Sequence, residues 1–323
     1  TQFATEVLHA LVADQEGRPL TLPQINALAD RITGYYREHG YPLARAVIPA
    51  QSIKDGVVLI QVVEARYGQV LLDNQSRVRD GLLQSTLTPL RSGEVINDDT
   101  LNRSLLLLSD IPGVGVAATL KPGSDVGTSD IAITASEIPT TLATVSVDNH
   151  GNTYLGRARA SANLSVINPL RLGDVLSATV LTNGNSMKYG RLSYEFLLNG
   201  QGTRMGGAYS SLRYRLGNEI AALGANGTAG AGSLWIKQPM LRSHMANIYA
   251  QLQVDQKRLR DHVDTTGIRN DRDLTNWIVS FNGDRRDAWL NGGINVWSLG
   301  WTRGRLGFDD VNAAAADAAT GQT

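Results

Sequence analysis

The stretch Arg157-Ala158-Arg159-Ala160-Ser161-Ala162-Asn163-Leu164-Ser165-Val166 alternates without a break. In an extended chain Ala158, Ala160, Ala162, Leu164 and Val166 fall on one side. Arg157, Arg159, Ser161, Asn163 and Ser165 fall on the other. Period-two alternation marks a strand with two unlike faces. Three more segments read the same way. From Tyr189, Leu192, Tyr194, Phe196 and Leu198 oppose Arg191, Ser193 and Glu195. Around Tyr209, Ala208, Leu212, Tyr214 and Leu216 oppose Ser211, Arg213 and Arg215. From Asn247, Ile248, Ala250, Leu252 and Val254 oppose Tyr249, Gln251, Gln253 and Asp255. A soluble sandwich also alternates. Here the polar face carries Arg and Glu in mid-strand, and the runs last roughly nine to fourteen residues, against about five or six in soluble sheets and about nine to eleven for a tilted membrane strand. The region from about Thr141 to Phe308 is therefore predicted to be a transmembrane antiparallel β-barrel wall.

Loop lengths give this wall a direction. Outer-membrane barrels have short periplasmic turns and longer outer loops. With a first strand at Ala143 to Asn149, the outer connections are Asn149 to Thr153, Asn183 to Lys188, Gly217 to Gly230, Leu259 to Asp273 and a fifth from near Gly304. The inner turns are Asn168 to Gly173, Asn199 to Thr203, Gln238 to His244 and Asp284 to Asp287. The long pair lies on one side, which places the N-terminal region on the short-turn side. About nine strands are counted. Closed single-chain bacterial barrels have an even number, and open edges are not tolerated in hydrocarbon. The expectation is an incomplete barrel whose remaining strands follow Thr323.

The chain has 323 residues, zero formal net charge and no Cys. Neutrality gives no bulk electrostatic case for nucleic acid, and the missing thiols exclude disulfides and a cysteine nucleophile. No apolar run approaches a membrane-spanning helix; the most apolar, Leu105 to Leu108, is far too short. The chain opens at Thr1 without Met, and the expectation is that N-terminal sequence precedes it. All five Trp lie after residue 139, which sets a boundary near Glu137-Ile138-Pro139.

Before that boundary two modules repeat. Leu22 to His39 is predicted as a helix with Ile25, Leu28, Ile32 and Tyr35 or Tyr36 on one face, Thr21 and Gln24 as a capping box, and Gly40 as the stop. Strands Leu43 to Pro49 and Val57 to Glu64 follow, with a turn at Asp55-Gly56. The second module reads as strand Tyr67 to Asp73, helices Arg77 to Leu87 and Asp98 to Ser109, and strands Val114 to Lys121 and Ser129 to Ser136. Its second helix opens on Asp98 and Asp99, where the helix dipole favours carboxylates. The first module lacks an opening strand.

Several of these residues carry a family resemblance. Tyr35-Tyr36-Arg37-Glu38-His39-Gly40-Tyr41-Pro42-Leu43-Ala44-Arg45-Ala46, Ile48-Pro49-Ala50-Gln51, Asp55-Gly56-Val57-Val58 and Val62-Val63-Glu64-Ala65-Arg66 resemble the first POTRA (polypeptide-transport-associated) domain of two-partner secretion transporters. These are the haemolysin secretion/activation proteins of the Omp85 superfamily. Ala65 stands where the family pattern has Gly. The Leu-rich segment from Leu101 with Ile111-Pro112-Gly113 resembles the second POTRA domain. Asp148-Asn149-His150-Gly151-Asn152 with Gly156, and Asn168-Pro169-Leu170 with Gly173-Asp174, are similar to the family's barrel segment. The resemblance implies α+β periplasmic POTRA domains at 1–65 and 66–138 and an all-β transmembrane barrel segment at 139–323. It further implies a monomer in outer-membrane lipid that exports an unfolded exoprotein bearing an N-terminal secretion domain, without ATP. The family motif Val-Arg-Gly-Tyr/Phe is absent from this chain, and Arg303-Gly304-Arg305 lies in the wrong context for it.

No catalytic constellation emerges. His9, His39, His150, His244 and His262 lack metal-pair spacing, and no phosphate-binding loop is present. Asp261, Asp264, Asp271 and Asp273 lack EF-hand spacing and read as solvated loop carboxylates. No cofactor and no enzymatic activity are expected. Arg157, Arg159, Arg191, Glu195, Arg213, Arg215, Gln251 and Gln253 are the predicted pore lining. The arginines either hydrate the channel and touch an unfolded chain, or pair with Glu195 and Asp255. Trp277, Trp289, Trp297 and Trp301 are predicted interface aromatics. The client-binding edges are Leu43, Arg45 and Val47, and Val114, Val116, Ala118 and Leu120, by strand addition. A second reading is an Omp85-type assembly factor, which tends to carry more POTRA domains; a third is a passive porin, which needs none.

Overall fold

The computed structural model describes residues 1–139, 141–184, 186–287 and 292–308. The chain divides into two compact units, which do not follow chain order. One holds Thr1–Gln75, Leu87–Leu108 and Gly115–Ser136; the other holds Ser76–Thr86, Ser109–Val114 and the chain from Glu137.

In the first unit a short helix α1 (Thr5–Ala10) precedes α2 (Leu22–Glu38). The capping box forms as predicted: the Thr21 amide donates to Gln24 Oε1 at 2.7 Å. Gly40 follows at φ +87°, open only to glycine without strain. Leu28, Ile32 and Tyr36 are buried along one face of α2, at helical spacing. Ile32 and Tyr36 pack with Leu8, Ala29, Ala44 and Ala46, and the Phe3 ring meets Tyr36 edge-on at 4.8 Å. The Tyr36 hydroxyl donates to Glu64 Oε1 at 2.9 Å, so the charge at the end of this module has a buried partner. The strands are shorter than expected. β1 (Arg45–Val47) pairs antiparallel with β2 (Gln61–Val63), and the bridge Lys54 to Val57 closes a separate turn. Asp55 and Gly56 both have positive φ there, the conformation the Asp-Gly pair favours.

The later elements of the N-terminal half are β3 (Arg66–Asn74), α3 (Asp80–Leu87), α4 (Asp98–Ser109), β4 (Val114–Pro122) and β5 (Thr128–Glu137). The three strands form one sheet in the order β3-β5-β4, with β3 and β5 parallel. Ile131, Ile133 and Ala135 are buried on alternate positions of β5, and Leu101, Leu107 and Leu108 are buried on α4. Each fully buried Leu or Ile is worth about 1.5–3 kcal/mol.

The second unit holds a nine-stranded antiparallel sheet in strict chain order: β6 (Thr141–Asp148), β7 (Arg159–Ile167), β8 (Val175–Thr182), β9 (Met187–Leu197), β10 (Arg204–Arg215), β11 (Ala225–Arg242), β12 (Ala246–Val263), β13 (Ile268–Asp287) and β14 (Gly293–Phe308). Among the described residues the sheet is not closed, since β6 and β14 are its two edges.

The long outer loops predicted from polarity are corrected here. Leu259 to Asp273 is mostly strand, and Gly217 to Gly230 is divided between a 3-10 turn at Asn218–Leu223 and the start of β11. β11 begins at Ala225, and β12 and β13 meet across 264–267. Likewise β11 runs to Arg242 through a bulge between Pro239 and Leu241, β13 runs to Asp287, and β14 continues past Gly304 to Phe308. β11, β12 and β13 have 18, 18 and 20 residues. At about 3.4 Å per residue that is roughly 60 Å, about twice the hydrocarbon thickness. The ends of these strands have water on both sides, so their charged residues read as loop although the backbone ladder continues. Loop length therefore does not alternate as expected and gives the sheet no direction.

Tyr67 on β3 is 2% exposed, and its hydroxyl finds no partner among the described residues. Burial, aided by the negative charge of Asp98, pushes its ionisation up to about 12 from 10.0. The protonated ring is the form the folded state keeps. Its contribution is complete below pH 10 and is lost as pH rises toward 12. Urea unfolding should therefore show stability falling between pH 10 and 12, and Tyr67→Phe should flatten that fall while leaving stability at pH 8 equal or higher.

Candidate functional site: the polar sheet face and its inner rim

Register assigns each side chain of the sheet to a face, because directly paired residues project the same way. Arg159, Arg191, Glu195, Gln251 and Gln253 lie on the polar face, as predicted from alternation. Arg213 and Arg215 do not. Arg213 pairs with Lys188, two positions from Gly190 and four from Leu192 on the apolar face. Alternation alone sets β10 in the wrong phase, because Ala208, Leu212 and Tyr214 look apolar yet face the polar side, opposite Ser193, Tyr189 and Met187. Arg157 precedes β7 and belongs to the β6–β7 connection, where its carbonyl accepts from the Gly151 amide at 2.8 Å.

The polar face is organised around a group that alternation did not reveal. Glu195 takes Arg204 Nε at 2.5 Å and Trp235 Nε1 at 2.8 Å. Arg204 also donates to the Gly173 carbonyl at 3.0 Å. Trp235 lies across the backbone of its cross-strand partner Gly206, where a Cβ would meet the ring at 2.5 Å. Farther along, Tyr214 covers Gly227 in the same way and donates to Asp261, which pairs with Arg272 at 2.7 Å. Gln251, Gln253 and Asp255 form a chain of hydrogen bonds at 2.9 and 2.8 Å. The expected pairing partners are thus corrected: Glu195 binds Arg204, Asp255 binds Gln253, and Arg159 binds Asp148 at 2.8 Å.

The inner rim is built from three turns and from the segments 76–86 and 109–114. In the first turn the Asn168 amide donates to the Asp174 carbonyl, and the Asp174 carboxylate accepts the Leu170 and Leu172 amides and the Tyr194 hydroxyl. Asn168 and Gly173 both have positive φ. Asn168 Nδ2 donates to the Pro112 carbonyl at 2.5 Å, and a Cβ on Gly173 would meet Ile111 Cγ2 at 2.8 Å. In the second, Gly200 approaches the backbone of Ser85 and Thr86 too closely for any side chain. In the third, Arg242 holds Asp110 through two hydrogen bonds of 2.7 and 2.8 Å. At the opposite end, Asn183 and Asn218 donate to the Leu155 and Thr153 carbonyls, tying three outer connections together.

The apolar face carries Trp277, Val279 and Phe281 on β13 and Trp297, Leu299 and Trp301 on β14, with Val279 paired to Trp301 and Phe281 to Leu299. Trp289 lies outside the described residues. The predicted edge residues fall unevenly. Arg45 and Val47 are exposed on β1, whereas Leu43 lies just before that strand. Val116, Ala118 and Leu120 lie on β4, an outermost strand of its sheet, and Val114 is buried.

Residues 127–322 match the family "Haemolysin secretion/activation protein ShlB/FhaC/HecB". The chain belongs to this family. Residues 1–65 match "POTRA domain, ShlB-type". The ShlB/FhaC/HecB relatives include the heme/hemopexin transporter protein HuxB of Haemophilus influenzae (strain 86-028NP), 27% identical over 309 residues, which cover 94% of this chain and 54% of the relative. The outer membrane transporter CdiB of Dickeya dadantii is 26% identical over 220 residues, covering 64% and 37%. The chain spans about half the length of the curated relatives it matches. In fold it is similar to CdiB from Escherichia coli (TM-score 0.74, 20% identity, 94% of this chain and 57% of that one) and CdiB from Acinetobacter baumannii (TM-score 0.65, 15% identity, 93% and 58%). The ShlB/FhaC/HecB sheet is thus the wall of an outer-membrane β-barrel, preceded by a periplasmic POTRA domain. That placement, not loop length, orients the strands: the turns at 168–173, 199–202 and 243–245 are periplasmic.

Arg204 and Glu195 are largely shielded, at 15% and 30% side-chain exposure. Removing one partner strands the other, at a cost of about 2–3 kcal/mol. Arg204→Ala should lower the temperature at which the folded barrel loses its fast gel mobility. In a double-mutant cycle Glu195→Gln should add little to it. Additive losses would show that the pair does not act as a unit.

Proposed function

We propose that this protein exports an unfolded protein partner across the outer membrane through its barrel, after receiving it on the periplasmic side, with no ATP and no chemical step. The observation that carries the reading is the continuity, in one chain, of a ShlB-type POTRA domain with a family barrel sheet whose inner face is polar. The partner is a secreted exoprotein with an N-terminal secretion domain. HuxB is by name a heme/hemopexin transporter and the Proteus mirabilis relative HpmB a hemolysin transporter, which supports a cargo of that general class. The family match favours export over insertion of other barrels.

In this reading residues 66–138 form a second POTRA domain, supported by the strand-helix-helix-strand-strand order and the sheet β3-β5-β4. Arg159, Arg191, Glu195, Gln251 and Gln253 line the pore. Polar, fixed side chains keep the passage wet and bind an extended chain only weakly, as transit requires. Trp277, Trp297 and Trp301 sit at the lipid interfaces. The partner docks by adding a strand to β1 or to β4, because an unfolded chain offers backbone groups everywhere and a free edge reads backbone rather than sequence.

Deleting the transporter should leave its secreted partner in the periplasm; normal surface levels of that partner in the deletion strain would rule the function out. Val116→Pro removes one backbone donor from β4. It should weaken capture of the partner's N-terminal domain by about tenfold while the barrel still folds. Unchanged capture would assign docking to β1 instead, and Val47→Pro would then be the variant that loses it.

A further inference from the structure

The apolar face of the sheet ends in the same way on three strands that run in the same direction. On β10, Met205, Gly207 and Tyr209 are followed along that face by Ser211, Arg213 and Arg215. On β12, Leu252 and Val254 are followed by Gln256, Arg258 and Arg260. On β14, Trp297, Leu299 and Trp301 are followed by Arg303 and Arg305. All six arginines are exposed. These strands run outward, so each pair lies just beyond the outer end of the apolar band. Register links them across the sheet, since Arg213 pairs with Thr228, Thr228 with Arg260, and Arg213 on its other side with Lys188.

From β10 to β14 the arginine pairs shift toward the strands' inner ends. Arg260 shares its row with Arg213, whereas Arg303 shares its row with Trp277 and Val254. The inner ends shift the same way, from the turn at 199–202 to a strand that reaches Asp287. Barrel strands tilt by about 35–45°. Under that tilt a band and a belt that slide together along the strands stay at constant height. The belt therefore follows the membrane surface.

Its charge is one-sided. Within the strands, the carboxylates beyond the band on this face are Asp271 and Asp273, which stand 3.9 and 3.8 Å from Arg260 and Arg258 in long pairs, while Asp264 in the β12–β13 turn holds His262 at 3.2 Å. Arg213, Arg215, Arg303 and Arg305 make no ion pair among the described residues. Successive pair members stand about 7 Å apart along a strand, close enough for one anionic group to touch both.

We propose that this arginine belt binds the phosphate groups of an anionic glycolipid in the outer leaflet. The occupant follows from continuity. A lipid whose acyl chains cover Tyr209, Leu252 and Trp301 places its headgroup at Arg213, Arg258 and Arg303. Guanidinium pairs suit phosphate because each offers a planar fork of donors. The inference rests on the barrel reading, and its test separates the two.

The full-length transporter is placed in phosphatidylcholine nanodiscs carrying either bis-phosphorylated lipid A or its dephosphorylated form, and retained glycolipid is measured by native mass spectrometry. Wild-type protein should retain the phosphorylated form preferentially, and less so as salt rises. The variant R213Q/R215Q/R303Q/R305Q should retain it at least about tenfold less, and the matching Arg→Lys variant, which keeps the charge but not the planar fork, should fall between the two. Equal retention of the two lipids by wild-type protein would overturn the proposal without any variant. Complete displacement by millimolar inorganic pyrophosphate would overturn it in favour of a free-phosphate site. Failure of the wild-type protein to enter the nanodiscs would count against the barrel itself.

Discussion

A peptide group inside hydrocarbon has no water to bond, so every strand in the sheet must pair its backbone on both sides. That obligation explains the strict chain order β6 to β14 and the near-unbroken ladder through β12 and β13. It also explains where irregularity is allowed. The bulge at Pro239/Leu241 lies next to an inner turn, and the positive-φ residues Asn168 and Arg171 lie within one. Pairing alone leaves faces free to vary, and the two faces have diverged accordingly. One is a band of Leu, Val and Trp, and the other is a lattice of hydrogen-bonded polar groups.

The polar face keeps its shape by locking side chains to one another rather than by filling space. Aromatic rings folded over glycine recur: Trp235 on Gly206, Tyr214 on Gly227 and, on the opposite face, Trp297 on Gly283. Glycine exposes backbone and weakens a strand, and a cross-strand ring restores the covered surface. The ring is then held by a carboxylate, Glu195 for Trp235 and Asp261 for Tyr214. Each carboxylate also holds an arginine.

The inner rim shows why the family's motif residues are what they are. Asn168 needs its side chain to reach the Pro112 carbonyl and its backbone to turn at positive φ, which few residues besides Asn tolerate. Asp174 satisfies two amides and a tyrosine hydroxyl while fully buried. The segment Asp110 to Pro112 is thereby fastened to the first strands and, through Arg242, to the later ones. The rim is a fixed collar, and the polar lattice above it begins from a defined position.

Period-two alternation determined the strands, their number and the faces of β7, β9 and β12, because alternation is a direct image of the pleat. Helix α4 was legible to its last residue from its Asp-Asp start and Leu spacing. The capping box at Thr21 and the Asp55-Gly56 turn were legible because both are local chemistry. The length of β11 to β13 was not, since strands that leave the membrane lose their apolar face and look like loops. The phase of β10 was not, since its small and aromatic residues fit either side and only pairing with β9 decides. The partner of Glu195 was not, because Arg204 and Trp235 reach it from neighbouring strands. Local pattern carries what one segment does alone. Register between segments belongs to the tertiary structure, because a one-residue slip reverses every face and no single strand contains the information to prevent it.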